Sequence, residues 1–300
     1  MDKILETIIQ KIEERNPRHA KKLRGNMEGL EDTFYYQANE FFDKYLDFVD
    51  REGKDLDYGI DSYMKMIRDY MYEQVTFAKT GSYSCTSFED ANERVYNNPE
   101  VMDYYMHGLM LSQFLWRHHY EVFEFFNASF PNYASRINSY LEIGGGHGIF
   151  LSEAMKATNM NKEYHLVDIS PSSIEIAKGF VGEEKVKYFL TDIFDFHPKQ
   201  GYDFITMGEV LEHVEQPLRL LKKLHAMLSE RGRAFITAPA NAPAIDHIYL
   251  FRNADDIRQM LDTAGFKVLE DISIYAERVS RKKAEKYKVA EMYGAFIEKK

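Results

Sequence analysis

Cysteine is almost missing from this chain: Cys85 is the single one in 300 residues, so no disulfide can close within it and a reducing, cytoplasmic setting is the expectation. Long apolar runs are missing too. No stretch approaches the roughly 20 residues that a bilayer crossing needs, and the opening Met-Asp-Lys-Ile lacks the apolar block of a secretory leader. Positive charge is in deficit, with 38 Lys and Arg against 48 Asp and Glu, a formal charge of -10 and a pI near 5.5. That balance removes the basic footprint on which nucleic-acid binding depends. No internal repeat and no low-complexity segment interrupts the sequence. What is plentiful is aromatic: 21 Tyr and 21 Phe beside one Trp, many of them before residue 135. A hydrophobic content of 45% and a charged content of 29% describe a globular chain with room for one large domain or two modest ones.

The pattern changes near residue 135. Before it the apolar spacing is helical: Ile4, Ile8, Ile9 and Ile12 form one stripe, and Phe34 to Val49 and Tyr63 to Phe77 form two more, rich in Tyr, Phe and Met. After it, short apolar runs alternate with helical stretches, the signature of a parallel sheet with crossover helices. Strands are expected before Gly144 and over Tyr164–Asp168, Val186–Leu190, Tyr202–Met207, Ala234–Ala238 and Phe266–Ile274, with Tyr293–Glu298 returning antiparallel as the seventh. Ser170-Pro171 reads as an N-cap and a first-turn proline, Leu218, Leu221, Leu224 and Leu228 as a core-facing stripe, Arg231-Gly232 as a turn, and Asn253 to Ala264 as a helix stopped by Gly265. The expected division is a helical region, 1–135, and an α/β domain, 136–300.

Chemistry concentrates at the strand ends. Glu142 stands two positions ahead of Gly144, and Gly146 and Gly148 follow, directly after an apolar segment. Glycines so spaced let a chain turn off a strand, bring bare backbone near a ligand and open a helix. A dinucleotide fingerprint would need Gly or Ala at position 149, where Ile149 stands, and Glu142 would repel a pyrophosphate. An ammonium and a sulfonium tolerate that carboxylate, which favours S-adenosylmethionine. Asp168 closes the second strand where a ribose diol needs an acceptor, and Asp192 beside Ile193 closes the third. The fourth runs into Gly208-Glu209-Val210-Leu211-Glu212-His213. Each acid has a plainer reading as a helix cap or first-turn residue.

With these residues the chain resembles the class I S-adenosylmethionine-dependent methyltransferases over about 136–300. The segment Met207 to Val214 is similar to the corresponding run of the ubiquinone-biosynthesis O-methyltransferases. The resemblance implies a Rossmann-like seven-stranded, mostly parallel sheet flanked by helices, with an all-helical N-terminal cap. It implies S-adenosylmethionine as cofactor, with Glu142, Gly144, Gly146 and Gly148 around its methionine part, Asp168 with Ile169 on the ribose, Asp192 with Ile193 at the adenine, and Gly208 with Glu209 nearby. A Tyr-Ser pair precedes the core in several relatives, which makes Tyr83 and Ser84 a candidate cofactor contact. Glu209, Glu212 and His213 match a motif that goes with a divalent cation in the ubiquinone-pathway enzymes; oxygen-rich ligation would suit magnesium, and the metal-free reading is preferred.

Acceptor identity does not carry over with a fold. From the residues, His213 and His247 at adjacent rim loops, with Glu209, are the candidate proton acceptors, since histidine's ordinary pKa near 6.5 suits a base at neutral pH. Tyr105, His107, His119 and Tyr249 offer polar tips in aromatic surroundings for a small-molecule acceptor, methylated on oxygen or nitrogen. Two alternatives stay open: a cyclase or alkyl-transfer enzyme of the same fold releasing methylthioadenosine, and a non-catalytic cofactor-binding scaffold. No nucleic acid and no membrane is expected as partner, and a homodimer is left open.

Overall fold

The structure is a computed structural model and describes residues 3–158, 162–182 and 184–300. Helices come first: α1 (Lys3–Arg15), α2 (Pro17–Met27), α3 (Asp32–Arg51), α4 (Leu56–Thr80), α5 (Phe88–Ala91), a π-helical turn (Asn92–Tyr96), α6 (Pro99–Leu115), α7 (Arg117–Ser129) and α8 (Pro131–Ala134). Their ends are written in the sequence. The Asp55 carboxylate accepts the Tyr58 amide to start α4, Gly81 at φ 73° ends it, and Asn98 with Pro99 opens α6. Helix α6 is apolar on nearly every side, so it runs through the middle of the helical layer, burying Met102, Met110, Leu111 and Phe114 against α3 and α4.

The α/β part follows as β1 (Ser139–Ile143), α9 (Ile149–Ala157), β2 (Glu163–Asp168), α10 (Pro171–Val181), β3 (Val186–Leu190), β4 (Tyr202–Gly208), α11 (Pro217–Met227), β5 (Leu228–Ala240), α12 (Ala254–Thr263), β6 (Phe266–Tyr275), α13 (Arg281–Tyr287) and β7 (Glu291–Lys299). The strands form one sheet in the order β3-β2-β1-β4-β5-β7-β6, parallel except for β7, which runs antiparallel to both neighbours. This is the seven-stranded Rossmann-like arrangement expected from the alternation. From β1 the chain winds outward through β2 to β3, then returns to β4 on the other side. The crevice at the carboxyl ends of β1 and β4 is therefore the switch point where such sheets hold ligands.

Two local expectations are corrected. Strand β5 begins at Leu228, immediately after α11, and not at Ala234; its pairing with β4 jumps from Tyr202↔Leu228 to Phe204↔Arg233. The expected Arg231-Gly232 turn is thus an irregularity inside the strand, where a Cβ on Gly232 would lie 2.6 Å from the Tyr202 carbonyl oxygen. On α11 the buried face is Leu220, Leu221 and Leu224, with Leu218 only half-buried.

Packing crosses the pattern change. One core joins α1 to α4 and α6 to Ile149 of α9 and to Ile176 and Phe180 of α10. A second lies on one sheet face beneath α11 and α12, and a third on the other face takes Phe126 of α7 and Phe130 against Phe204, Phe235 and Phe296. Helix α7 thus belongs to the layer covering the sheet, and the helices before it pack on the sheet domain through α9 and α10.

Candidate active site

The loops after β1, β2, β3, β4 and β5 and the faces of α4, α6 and α7 enclose a cavity of about 530 Å³. Glycine is required in the first loop because Gly144, Gly146 and Gly148 all have positive φ, and a Cβ on Gly146 would lie 2.9 Å from the Met106 Cε. The loop is held from β2: the Asp168 Oδ2 accepts the Gly146 amide at 3.1 Å and its Oδ1 accepts the Ser170 amide at 2.8 Å. Each Asp168 oxygen keeps a further lone pair for a diol. Burial raises the Asp168 carboxyl above its ordinary range. Glu142, also in the cavity wall, accepts the Leu151 amide at 2.8 Å in the first turn of α9, and burial pushes its carboxyl up to about 8. Ile169, Asp192 and Ile193 continue the wall, and the Arg219 guanidinium lies 4.2 Å over the Phe194 ring, making a flat-walled slot at this end. Gly148 caps α9 behind the wall.

At the other end Gly208 and Glu209 close β4. Glu209 has φ 53°, a left-handed conformation costly for a residue with a side chain. Thr237 of β5 pins it: its carbonyl and hydroxyl oxygens accept the Glu209 amide at 3.2 and 3.0 Å, and its hydroxyl donates to Glu209 Oε1 at 2.7 Å. His213 and His247, from different loops, meet edge-to-face with ring centroids 4.8 Å apart. His247 Nδ1 lies 2.6 Å from the Ala242 carbonyl oxygen, which can only accept, so the ring proton sits on Nδ1. His213 Nδ1 lies 3.1 Å from the Asp246 carbonyl oxygen and 2.8 Å from the Tyr96 hydroxyl, which donates to Asp246 Oδ2 at 3.2 Å. Both histidines therefore turn an Nε2 lone pair inward, toward Glu212. Burial and the neighbouring His213 hold His247 down to about 4, so it is neutral. Glu212 is fully buried, neither of its oxygens finds a donor among the described residues, and burial with nearby Glu209 raises its carboxyl well above the ordinary range.

The candidate acceptor residues divide. Tyr105 and His119 line the cavity; His119 donates from Nδ1 to the Ser112 hydroxyl at 3.0 Å, that hydroxyl being committed to the Leu109 carbonyl. His107 does not line it. It is buried on the opposite side of α6, between the Tyr45 hydroxyl at 3.0 Å and the Lys54 ammonium at 3.2 Å, because helical spacing turns it away from Tyr105. Tyr249 packs on Phe251 outside the lining, where its amide bonds to the Glu212 carbonyl. Tyr83 stands behind the wall: its hydroxyl accepts the Ala242 amide at 3.1 Å and its ring meets His247 edge-on, so it braces the loop carrying His247. Ser84 is next to it, with a buried hydroxyl that finds no partner among the described residues. Of the magnesium set, Glu209 is not in the cluster that could hold an ion; Glu212, His213 and His247 are, with one ligand atom from each lying within 4.8 Å of the others. Sequence reasoning missed Tyr96, Asp246, Arg219 and Thr237. Asp246 is adjacent to His247 and could have been flagged by that adjacency, whereas Tyr96 comes from a π-helical turn that apolar spacing does not announce.

The family profile described as a methyltransferase domain matches residues 115–271, just over half of the chain. The chain belongs to this family, in its class I, S-adenosylmethionine-dependent branch. A malonyl-[acyl-carrier protein] O-methyltransferase of Ilyobacter polytropus is 31% identical over 99 residues, 32% of this chain and 37% of that one. The mitochondrial ubiquinone biosynthesis O-methyltransferase of Candida albicans is 33% identical over 102 residues, 32% of this chain and 31% of its own length. The match thus spans only about a third of either relative. The solved structure of a mitomycin 7-O-methyltransferase superposes with a TM-score of 0.55 at 12% identity, covering 82% of this chain and 70% of the other; at that identity the likeness is one of fold, and it extends into the helical region. The family's cofactor is S-adenosylmethionine, and the left-handed glycine loop, the two-oxygen acceptor at Asp168 and the buried acid at Glu142 are residues that fit it.

Proposed function

We propose that this methyltransferase-family protein methylates an oxygen or nitrogen atom of a small molecule in the cytoplasm, with the helical region 1–135 as a cap, except for α7 and α8, which pack on the sheet of the 136–300 cofactor domain. The observation that carries the reading is that one cavity joins the glycine loop, Asp168 and Asp192 to His213, His247 and the aromatic face of α6. Glu142, Gly144 and Gly146 would hold the methionine part, Asp168 and Ile169 the ribose, and Asp192, Ile193 and Phe194 the adenine. S-adenosylmethionine, when bound, supplies an electrophilic methyl carbon. The chain's own part is alignment, exclusion of water and handling of the acceptor's proton. Trp116, Tyr105 and Met106 of the cap press an apolar wall on the acceptor end, and Tyr96 closes it from the side. Glu209, fixed by Thr237 at the end of β4, is the proton acceptor we assign; His213 and His247 present Nε2 lone pairs beside it.

The acid-rich wall, with Arg219 as its one Lys or Arg among the described residues, supports a small acceptor and argues against nucleic acid. The test is mass spectrometry of the nucleoside product after incubation with S-adenosylmethionine and a metabolite extract. S-adenosylhomocysteine with a substrate 14 mass units heavier is the expected result, the mass being that of an added CH₂, about 14. Methylthioadenosine would make the protein a cyclase or alkyl-transfer enzyme, and tight cofactor binding without turnover would make it a scaffold. Sedimentation of the full chain would decide between monomer and homodimer.

A further inference from the structure

The cluster at Glu212, His213 and His247 consists only of acceptors. The Nδ1 of each imidazole faces a backbone carbonyl, that of Asp246 for His213 and that of Ala242 for His247, and His213 Nδ1 also meets the Tyr96 hydroxyl at 2.8 Å; an Nδ1–H directed to those oxygens leaves an Nε2 lone pair on each ring. His213 Nε2 lies 3.6 Å and His247 Nε2 lies 3.9 Å from the same Glu212 Oε1, which finds no donor among the described residues. A proton on Glu212 would not repair this, because it could serve one nitrogen at most and both separations exceed a hydrogen bond. Three atoms bound to a common ion at about 2.1 Å stand about 3.3 to 4.2 Å apart, which is the spacing of these two contacts. The backbone carbonyls that fix the ring orientations, together with the Tyr96 hydroxyl on His213, are the outer contacts that metal-bound histidines use.

We infer that Glu212, His213 and His247 form a binding site for a divalent transition-metal ion of the zinc type, with its open side toward the cavity. This departs from the magnesium set implied by resemblance. Glu209 is not among the residues whose ligand atoms converge here, and two imidazole nitrogens with one carboxylate select zinc, cobalt or iron over magnesium, which demands oxygen ligands and keeps its water. The inference rests on the methyl-transfer reading only for the role of the ion, which would lie where the acceptor's oxygen or nitrogen approaches.

The test is titration of tag-free, chelator-stripped protein with Co²⁺, followed by visible ligand-field absorption, with Zn²⁺ and Mg²⁺ as competitors. One equivalent of Co²⁺, displaced by Zn²⁺ and untouched by excess Mg²⁺, is expected. Glu212→Gln and His247→Ala should each weaken binding by about a hundredfold or more, and Tyr96→Phe by about tenfold, while Glu209→Gln keeps it. Absence of stoichiometric Co²⁺ binding by the wild-type protein overturns the inference whatever the variants do. So does displacement by Mg²⁺ at comparable concentration, or loss of cobalt in Glu209→Gln equal to that in Glu212→Gln. Calorimetry with S-adenosylhomocysteine, run on the same protein, separates the two readings: failure there sinks the cofactor site and leaves the metal result standing.

Discussion

Glu142 offers a test of the cofactor site that does not require knowing the acceptor. Its carboxyl is buried beneath the first turn of α9 and pushed up to about 8 by that burial. At pH 7 a group with that pKa is about 90% protonated. A cofactor ammonium placed beside it favours the carboxylate, so binding of S-adenosylhomocysteine should release about 0.9 proton per site at pH 7, and affinity should rise about tenfold per pH unit until pH 8, then level off. The sign for folding follows from the same shift. Because the folded pKa lies above the ordinary 4.5, the ligand-free protein keeps this contribution to stability below about pH 4.5 and loses it as pH rises toward about 8. Calorimetry in two buffers of different ionisation enthalpy counts the protons, and Glu142→Gln should remove the count. Identical enthalpies in both buffers for the wild-type protein, or undiminished release in Glu142→Gln, would refute the placement of the ammonium at this residue.

Other consequences are simpler to read. Asp168→Ala removes the acceptor for the diol and the anchor of the Gly146 and Ser170 amides together, so S-adenosylhomocysteine affinity should fall by about 1 to 3 kcal/mol; unchanged affinity in a titration rules out the ribose role. Glu209→Gln should lower kcat by about two to four orders of magnitude with cofactor affinity nearly intact, and a variant as fast as wild type would show that proton removal lies elsewhere. His107→Ala should cost about 2 to 4 kcal/mol in denaturant unfolding, since it opens a void on α6 and strands the Tyr45 hydroxyl, the Lys54 ammonium keeping Asp103, yet leave the acceptor KM alone; a raised KM with normal stability would return His107 to the acceptor site.

The sheet was legible because its signals are local. Short apolar runs, an N-cap before a proline at Ser170-Pro171 and a glycine-rich turn off β1 each constrain a few neighbouring residues, and the observed strands start and stop close to them. The cofactor end was legible for the same reason, being built from strand ends in chain order. The acceptor end is different. Tyr105 and His107 are two residues apart in a helix buried on both sides, and nothing in their spacing says which face meets a cavity, since α6 has no polar face from which to judge. Tyr83 sits close to His247 across more than 150 residues of chain, and its role is to brace a loop, a contact that only tertiary packing creates. The β5 start was missed because a helix runs straight into a strand, with the glycine placed inside the strand where it relieves a backbone clash.

The same geometry explains why so many carboxyl groups are buried at one rim. Glu142, Glu209, Glu212 and Asp168 each have a carboxyl raised by burial, which means that each costs folding free energy while it has no cationic partner. A protein selected for stability alone would replace them with apolar residues of similar volume. Two of the positions instead match charges that the proposed ligands bring, Glu142 an ammonium at the glycine loop and Glu212 a metal dication at the two histidines, while Asp168 and Glu209 stand where a diol and an acceptor proton would be met. The backbone shows the same trade. Glu209 is held in a left-handed conformation by three hydrogen bonds to Thr237, at a position where glycine would be relaxed. Glycine there would have no carboxylate to offer, so the strain and the buried charge are two costs of placing one oxygen at the mouth of β4.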